Sequence, residues 1–230
     1  MVSCNPNLNS ALNARPIWQG CLRLTFGLPV SATKQRDHAI RIAPSDPEGA
    51  LSQADDIEDP WFATQALSAV LRYGLEHRIS VVCRRALARA SECSDAYCRG
   101  AVLAWLVRAL AERGHTSQAT TVLDEAMRQA LVSTPAGSRA EALFLLYQAA
   151  YPLGQPAVAP LFRHLTALQE SSPHWRASRA LVHALAMQSV RAPDSFSSII
   201  SSVRDARIAR RVHRYIALGL TQPREFFGRH

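Results

Sequence analysis

"WLVRALAERGHTSQATTVLDEAMRQAL", residues 105–131, carries two apolar helical stripes on either side of a single glycine, Gly114. Glycines stand again at Gly74 and Gly154, forty residues away in each direction. Superposing the chain on itself at that offset aligns more than the glycines. Upstream, Leu67, Val107 and Tyr147 coincide, as do Ala63, Leu103 and Leu143. Downstream, Ile79 falls with Ala119 and Ala159, Val82 with Val122 and Phe162, and Ala86 with Ala126 and Thr166. A fixed period of this length marks an array of units, each burying its apolar face only against its neighbours.

Each unit reads as helix, tight turn, helix. In the third, Ala142, Leu143, Leu146, Tyr147 and Ala150 recur at steps of three and four, which gives one apolar stripe. Gly154 is expected to end that helix in the left-handed region, and Pro156 to enter the first turn of the next. A fourth unit has Asp194 at the glycine position, expected as an N-cap, and a stripe of Phe196, Ile199, Ile200 and Val203. A partial unit precedes the array: Ala54, Ile57, Asp59 and Ala66 match Ile200, Val203, Asp205 and Val212. The pattern runs from about Pro47 to Leu220, enough for roughly nine or ten helices. This assigns a helical repeat domain to 37–220, a loose N-terminal arm to 1–36 and a tail to 221–230. Within the arm, "IWQGCLRLTF" (17–26) can dock as a short strand or helix, and Arg23 breaks what would otherwise resemble an export signal.

Leu103, Leu106, Val107, Leu110, Gly114, Ala119, Leu123 and Ala126 occupy the relative spacings of the tetratricopeptide consensus. The chain therefore resembles the tetratricopeptide-like families. It departs from them in its period, forty rather than about thirty-four residues, and in lacking the proline that closes their units. The resemblance implies an all-α, right-handed alpha-solenoid of helical hairpins that serves as a protein-interaction scaffold. It also implies that the first helix of each pair lines a concave face. By that analogy a polar row of Ser68, Arg108, Gln148 and Gln188 points into the concavity, with Arg72, Trp105, Phe144 and Tyr151 beside it. Aromatic and arginine side chains dominate interaction hot spots, so this face is expected to take a peptide or a partner helix. The alternative is a merely wet row, with the aromatics packing between helices.

The charge is uneven. The net charge is +8, and twenty-five of the 26 basic residues are arginine. Residues 171–230 hold ten arginines against Asp194, Asp205 and Glu225. Arg204, Arg207, Arg211 and Arg214 follow steps of three, four and three, so they share one helix face, opposite Val203, Ile208, Val212, Tyr215 and Ile216. Such a face suits an acidic protein surface or a nucleic-acid backbone. The plainer reading is a solvated face, or one paired with Asp55, Asp56, Glu58 and Asp59 of another copy.

No motif points to catalysis or a cofactor. The eight histidines do not cluster, and His183, at an apolar repeat position, reads as a core histidine. There is no phosphate-cradling loop, dinucleotide fingerprint or nucleophile elbow. The five cysteines lack metal-ligand spacing and fit free thiols in a reducing compartment, so a cytoplasmic protein without metal is expected. No run approaches the roughly 18 apolar residues of a membrane span.

Overall fold

A computed structural model describes residues 31–203 and 205–227. Among the described residues there are eleven α-helices, two short 3-10 turns and no strand, so the chain is all-α. The helices are α1 (Ala32–Ile42), α2 (Pro47–Asp55), α3 (Pro60–Tyr73), α4 (Ile79–Ser91), α5 (Ala96–Glu112) and α6 (Thr116–Val132). They continue with α7 (Ala136–Ala150), α8 (Gln155–Ser171), α9 (Trp175–Arg191), α10 (Pro193–Ser202) and α11 (Ala206–Ala217). Among the described residues the first helix, α1, starts at Ala32, within the segment 1–36. The stretch 17–26 lies outside the described residues.

Each helix packs on the next in sequence through α3–α4, α5–α6 and α7–α8. The odd-numbered helices also pack on one another in order, α1 on α3, α3 on α5, α5 on α7, α7 on α9 and α9 on α11. The aligned positions of the odd helices account for this layer. Leu67, Val107, Tyr147, Ala63, Leu103 and Leu143 are all buried to within 3% of complete. Tyr147 is wholly enclosed and its hydroxyl donates to the Ala184 carbonyl at 3.3 Å, joining α7 to α9. Burial pushes that hydroxyl's pKa far up, so it stays a neutral donor.

The even helices are less alike. Ile79, Val82 and Ala86 of α4 and Ala119, Val122 and Ala126 of α6 are buried, but Ala159, Phe162 and Thr166 of α8 are only half-buried. The reason lies in α10, which packs on α9 rather than on α8. It leaves a cleft of about 480 Å³ lined by Phe162, Thr166, Leu181, Leu185, Ile199 and Ile208, among others.

Asp46, Asp59, Asp95 and Asp205 cap α2, α3, α5 and α11, each side chain accepting from a backbone N–H of the first turn. Asp194 does not act as a cap. Pro193, whose fixed φ suits the first helical position, starts α10 one residue earlier, with Ala192 as the cap residue. The Asp194 carboxylate falls in the first turn, where the helix dipole still favours it. The three glycines also differ. Gly114 has φ +79° and Gly154 φ +93°, the latter with ψ 177°, a mirror-image extended conformation rather than a left-handed helical one. Gly74 has φ −68°, open to any residue; what it needs is room, since a Cβ there would stand 2.8 Å from the Val70 carbonyl oxygen.

Arginines close several helix ends. Arg99 donates to Cys93 O at 2.9 Å, and Arg139, forty residues on, donates to Ser133 O at 3.1 Å. Arg113 donates to Gly74 O at 2.8 Å and Arg72 O at 3.3 Å, and Arg191 bonds Tyr151 O. The last carbonyls of a helix have no intrahelical partner and carry its negative dipole end, so a guanidinium satisfies both needs.

Candidate functional site

Of the residues expected to line a concave face, four are buried: Trp105, 7% exposed, and three polar residues. Ser68 is 0% exposed and its hydroxyl donates to Thr64 O at 2.7 Å within its own helix. Gln148 and Gln188 are 4% and 1% exposed, the latter lying near the Tyr147 hydroxyl. These three therefore belong to the packing of the odd helices and are not presented to a ligand. A forty-residue alignment shows that a position is polar, but not how its helix is rotated. Phe144 is half-buried elsewhere, its ring 5.1 Å from the His183 ring and 6.4 Å from Tyr147.

Arg72, Trp105 and Arg108 do come together. Glu112, at the end of α5, pairs with both guanidiniums: its Oε2 meets Arg72 Nε, and its Oε1 meets Arg108 Nε one helical turn away. Arg72 also donates to the Tyr73 hydroxyl at 2.8 Å. Trp105 continues a row of aromatic rings. Its ring meets Trp61 edge-on at 5.9 Å, and Trp61 stacks on Tyr97 at 6.4 Å. Burial, and secondarily the Glu141 carboxylate, push the Tyr97 hydroxyl's pKa up, as expected of a phenol held against apolar rings.

This site is filled, and by the chain itself. After α11 the tail returns to α3 and α5 and sets two phenylalanines on the cluster. Phe226 lies edge-on to Trp105 at 5.4 Å, with an interplanar angle of 82°. Arg108 sits 6.0 Å from the Phe226 ring centre, and Arg72 sits 5.1 Å from that of Phe227. Arg224 covers both Trp105 and Phe226 at 5.4 Å. Aromatic pairs and guanidinium–ring contacts of this kind each add about 0.5–1.5 kcal/mol beyond simple burial. Phe226 and Phe227 end up 7% and 4% exposed.

Sequence reasoning missed Glu112, Trp61, Tyr97 and the tail phenylalanines. Arg108 and Glu112 at a spacing of four were a readable signal, and so was an aromatic pair within an otherwise polar "TQPREFF" (221–227).

On α11, Arg207, Arg211 and Arg214 are exposed, as are Arg210 and His213; Arg204 lies outside the described residues. Ile208 and Val212 are buried, and Tyr215 and Ile216 half-buried, where the helix meets α9. Among the described residues no carboxylate lies within ion-pair distance of Arg207, Arg210, Arg211 or Arg214. Asp55 pairs instead with Arg85. Cys83, Cys93 and Cys98 are free, and burial pushes the Cys93 thiol up to about 11, well away from a reactive thiolate. Among the described residues no three metal-ligating side chains converge, and no helix is long and apolar enough to cross a membrane.

Compared with profiles of protein families, with curated proteins and with solved structures, the chain finds no match in any of the three.

Proposed function

We propose that this protein is a tetratricopeptide-like alpha-solenoid of forty-residue helical hairpins that works as a cytoplasmic interaction scaffold, holding a peptide segment of a partner against α3 and α5. The observation that carries the reading is the way Arg72, Trp105 and Arg108 hold a short, irregular segment through two aromatic side chains. That is the chemistry of peptide recognition: rigid aromatic anchors in a desolvated seat, with arginines around them. The forty-residue spacing of Arg99 and Arg139, which make the same bond, and the ordered packing of the odd helices support the repeat reading.

The test is to pan a random peptide library against the full chain. Selected peptides lose binding at least ten-fold to the Trp105→Ala and Arg108→Ala variants, while helix content by circular dichroism stays unchanged. Selected peptides that bind these variants undiminished refute the site.

A second reading rests on the unpaired guanidiniums of α11, which suit an acidic protein surface or a nucleic-acid backbone. Titrating labelled single-stranded RNA and duplex DNA at several salt concentrations separates it from the first. Binding that weakens log-linearly with salt, and fails on joint reversal of Arg207 and Arg211 to Glu, favours it.

A further inference from the structure

The tail is attached in an unusual way. Its apolar residues nearest α11 are left in water, Leu218 at 62% and Leu220 at 44% exposed. After the bond from Leu220 N to Tyr215 O, residues 221–227 make no backbone–backbone hydrogen bond among the described residues. Gln222 and Glu225 are exposed, so the segment is held at Thr221, at its two rings and by Arg224 over the Trp105 ring.

The fit is also incomplete. Arg108 Nη1 is buried beneath the tail without an acceptor. Glu112 alone stands between the two guanidiniums of Arg72 and Arg108 at this site, and the tail brings a third, Arg224, to the same place. A segment that kept the two rings and offered an oxygen to Arg108 would suit the site better than the tail does. A buried donor left unpaired is costly, and a guanidinium bonds most strongly to a carboxylate.

Resting on the scaffold reading above, we propose that Thr221–Phe227 is a displaceable intramolecular occupant of this site. The partner that displaces it presents an extended segment with two adjacent aromatics, as in Phe226-Phe227, and an acidic side chain placed to reach Arg108 Nη1, where Glu225 of the tail is exposed and gives it no acceptor. The tail then sets a threshold for binding: a competing segment must outbid a tethered copy of its own motif. A short tether gives an effective concentration of about 1 mM, so for a motif of roughly 10–100 μM intrinsic affinity the site is masked about 10–100-fold.

The experiment uses a fluorescein-labelled synthetic peptide with the sequence of residues 221–227 and fluorescence anisotropy on the full-length chain. The variant with Phe226→Ala and Phe227→Ala, whose own tail lacks both anchors, binds the peptide about 10–100-fold more tightly than the unaltered chain. Adding Arg108→Ala to it weakens that binding at least ten-fold, and Trp105→Ala is a second check should the first variant lose helix content. Equal binding to the opened and unaltered chains overturns the proposal, as does binding that ignores both Arg108 and Trp105. A doubled mass of the unaltered chain in light scattering, abolished by the two alanines, overturns the intramolecular seat in favour of exchange between copies. If this peptide fails on every variant while library peptides still depend on Trp105, the tail proposal falls and the scaffold reading stands.

Discussion

Replacing Gly100 with alanine tests the close approach of α5 to the backbone of α6. Gly100 sits inside α5, where Ala over Gly ordinarily stabilises a helix by about 1 kcal/mol. Here the added Cβ would stand 2.9 Å from Ala126 O, 2.9 Å from Ala130 N and 3.2 Å from the Gln129 Cβ, all on α6. The first two are backbone atoms, so no rotamer change relieves them. The helices must part by several tenths of an ångström, loosening Leu103, Leu123 and Ala126 around the contact. Overpacking of this kind costs about 1–3 kcal/mol. With two backbone atoms inside 3.0 Å the cost falls in the upper part of that range, about 2–3 kcal/mol, so after the propensity gain the net loss is about 1–2 kcal/mol, and at about 2–4 °C per kcal/mol for a chain of this size the melting temperature falls by about 2–8 °C. Gly137 is the internal control. A Cβ there meets only the Arg176 and His174 side chains, at 3.2 Å, and both can move aside. Thermal unfolding followed by circular dichroism at 222 nm should show Gly100→Ala melting below the parent and Gly137→Ala at or above it. If Gly100→Ala melts at or above the parent temperature, α5 and α6 do not approach backbone to backbone, and the account of their packing is wrong.

Two further predictions concern stability. Asp59→Ala removes the side chain that accepts from Trp61 N and Phe62 N at the start of α3. Urea unfolding should show a loss of about 1 kcal/mol, and no loss would deny the cap. His183 lies between Phe144 and Tyr215, and burial, followed by repulsion from Arg179, lowers its pKa below the ordinary 6.5. The unfolded chain therefore binds this proton more readily than the folded one. Its contribution to stability is fully present above pH 6.5 and is lost as pH falls through 6.5 toward the folded value. Unfolding free energy measured from pH 8 to pH 5 should fall more steeply for the parent than for His183→Phe, and identical slopes would refute the assignment.

What the sequence made legible was what repeats. Leu67, Val107 and Tyr147 recur at a fixed offset because each faces the same kind of neighbour, and all three are buried. Helix rotation was not legible, because a polar residue at a repeat position looks the same whether it is wet or tucked against a carbonyl, as Ser68 is. The equivalence of the three glycines was likewise only apparent. Gly114 and Gly154 need a backbone sign that Gly74 does not, and one letter serves both a torsional and a steric demand. The site depended most on contacts that no period announces. Arg72 and Trp105 stand beside a row of which Ser68, Gln148 and Gln188 are buried and only Arg108 reaches the site. Their real partners, Phe226 and Phe227, lie far along the chain, and local patterning carries no information about so distant a pairing.

That separation also fixes an order of events. The odd helices meet neighbours close in sequence, so their association requires only short loops and can proceed as each hairpin forms. Seating the tail closes loops of roughly 120 residues to Trp105 and 155 to Arg72, and the entropic cost of closing such loops is lowered once the intervening helices have drawn the ends together. Docking of Phe226 and Phe227 is accordingly the final step of folding. On the ribosome, α3 and α5 stand complete with their aromatic face uncovered for the whole time it takes to make the roughly hundred residues that follow, at about 5–20 residues per second. A nascent chain of this protein passes through an interval of some seconds in which the site is open.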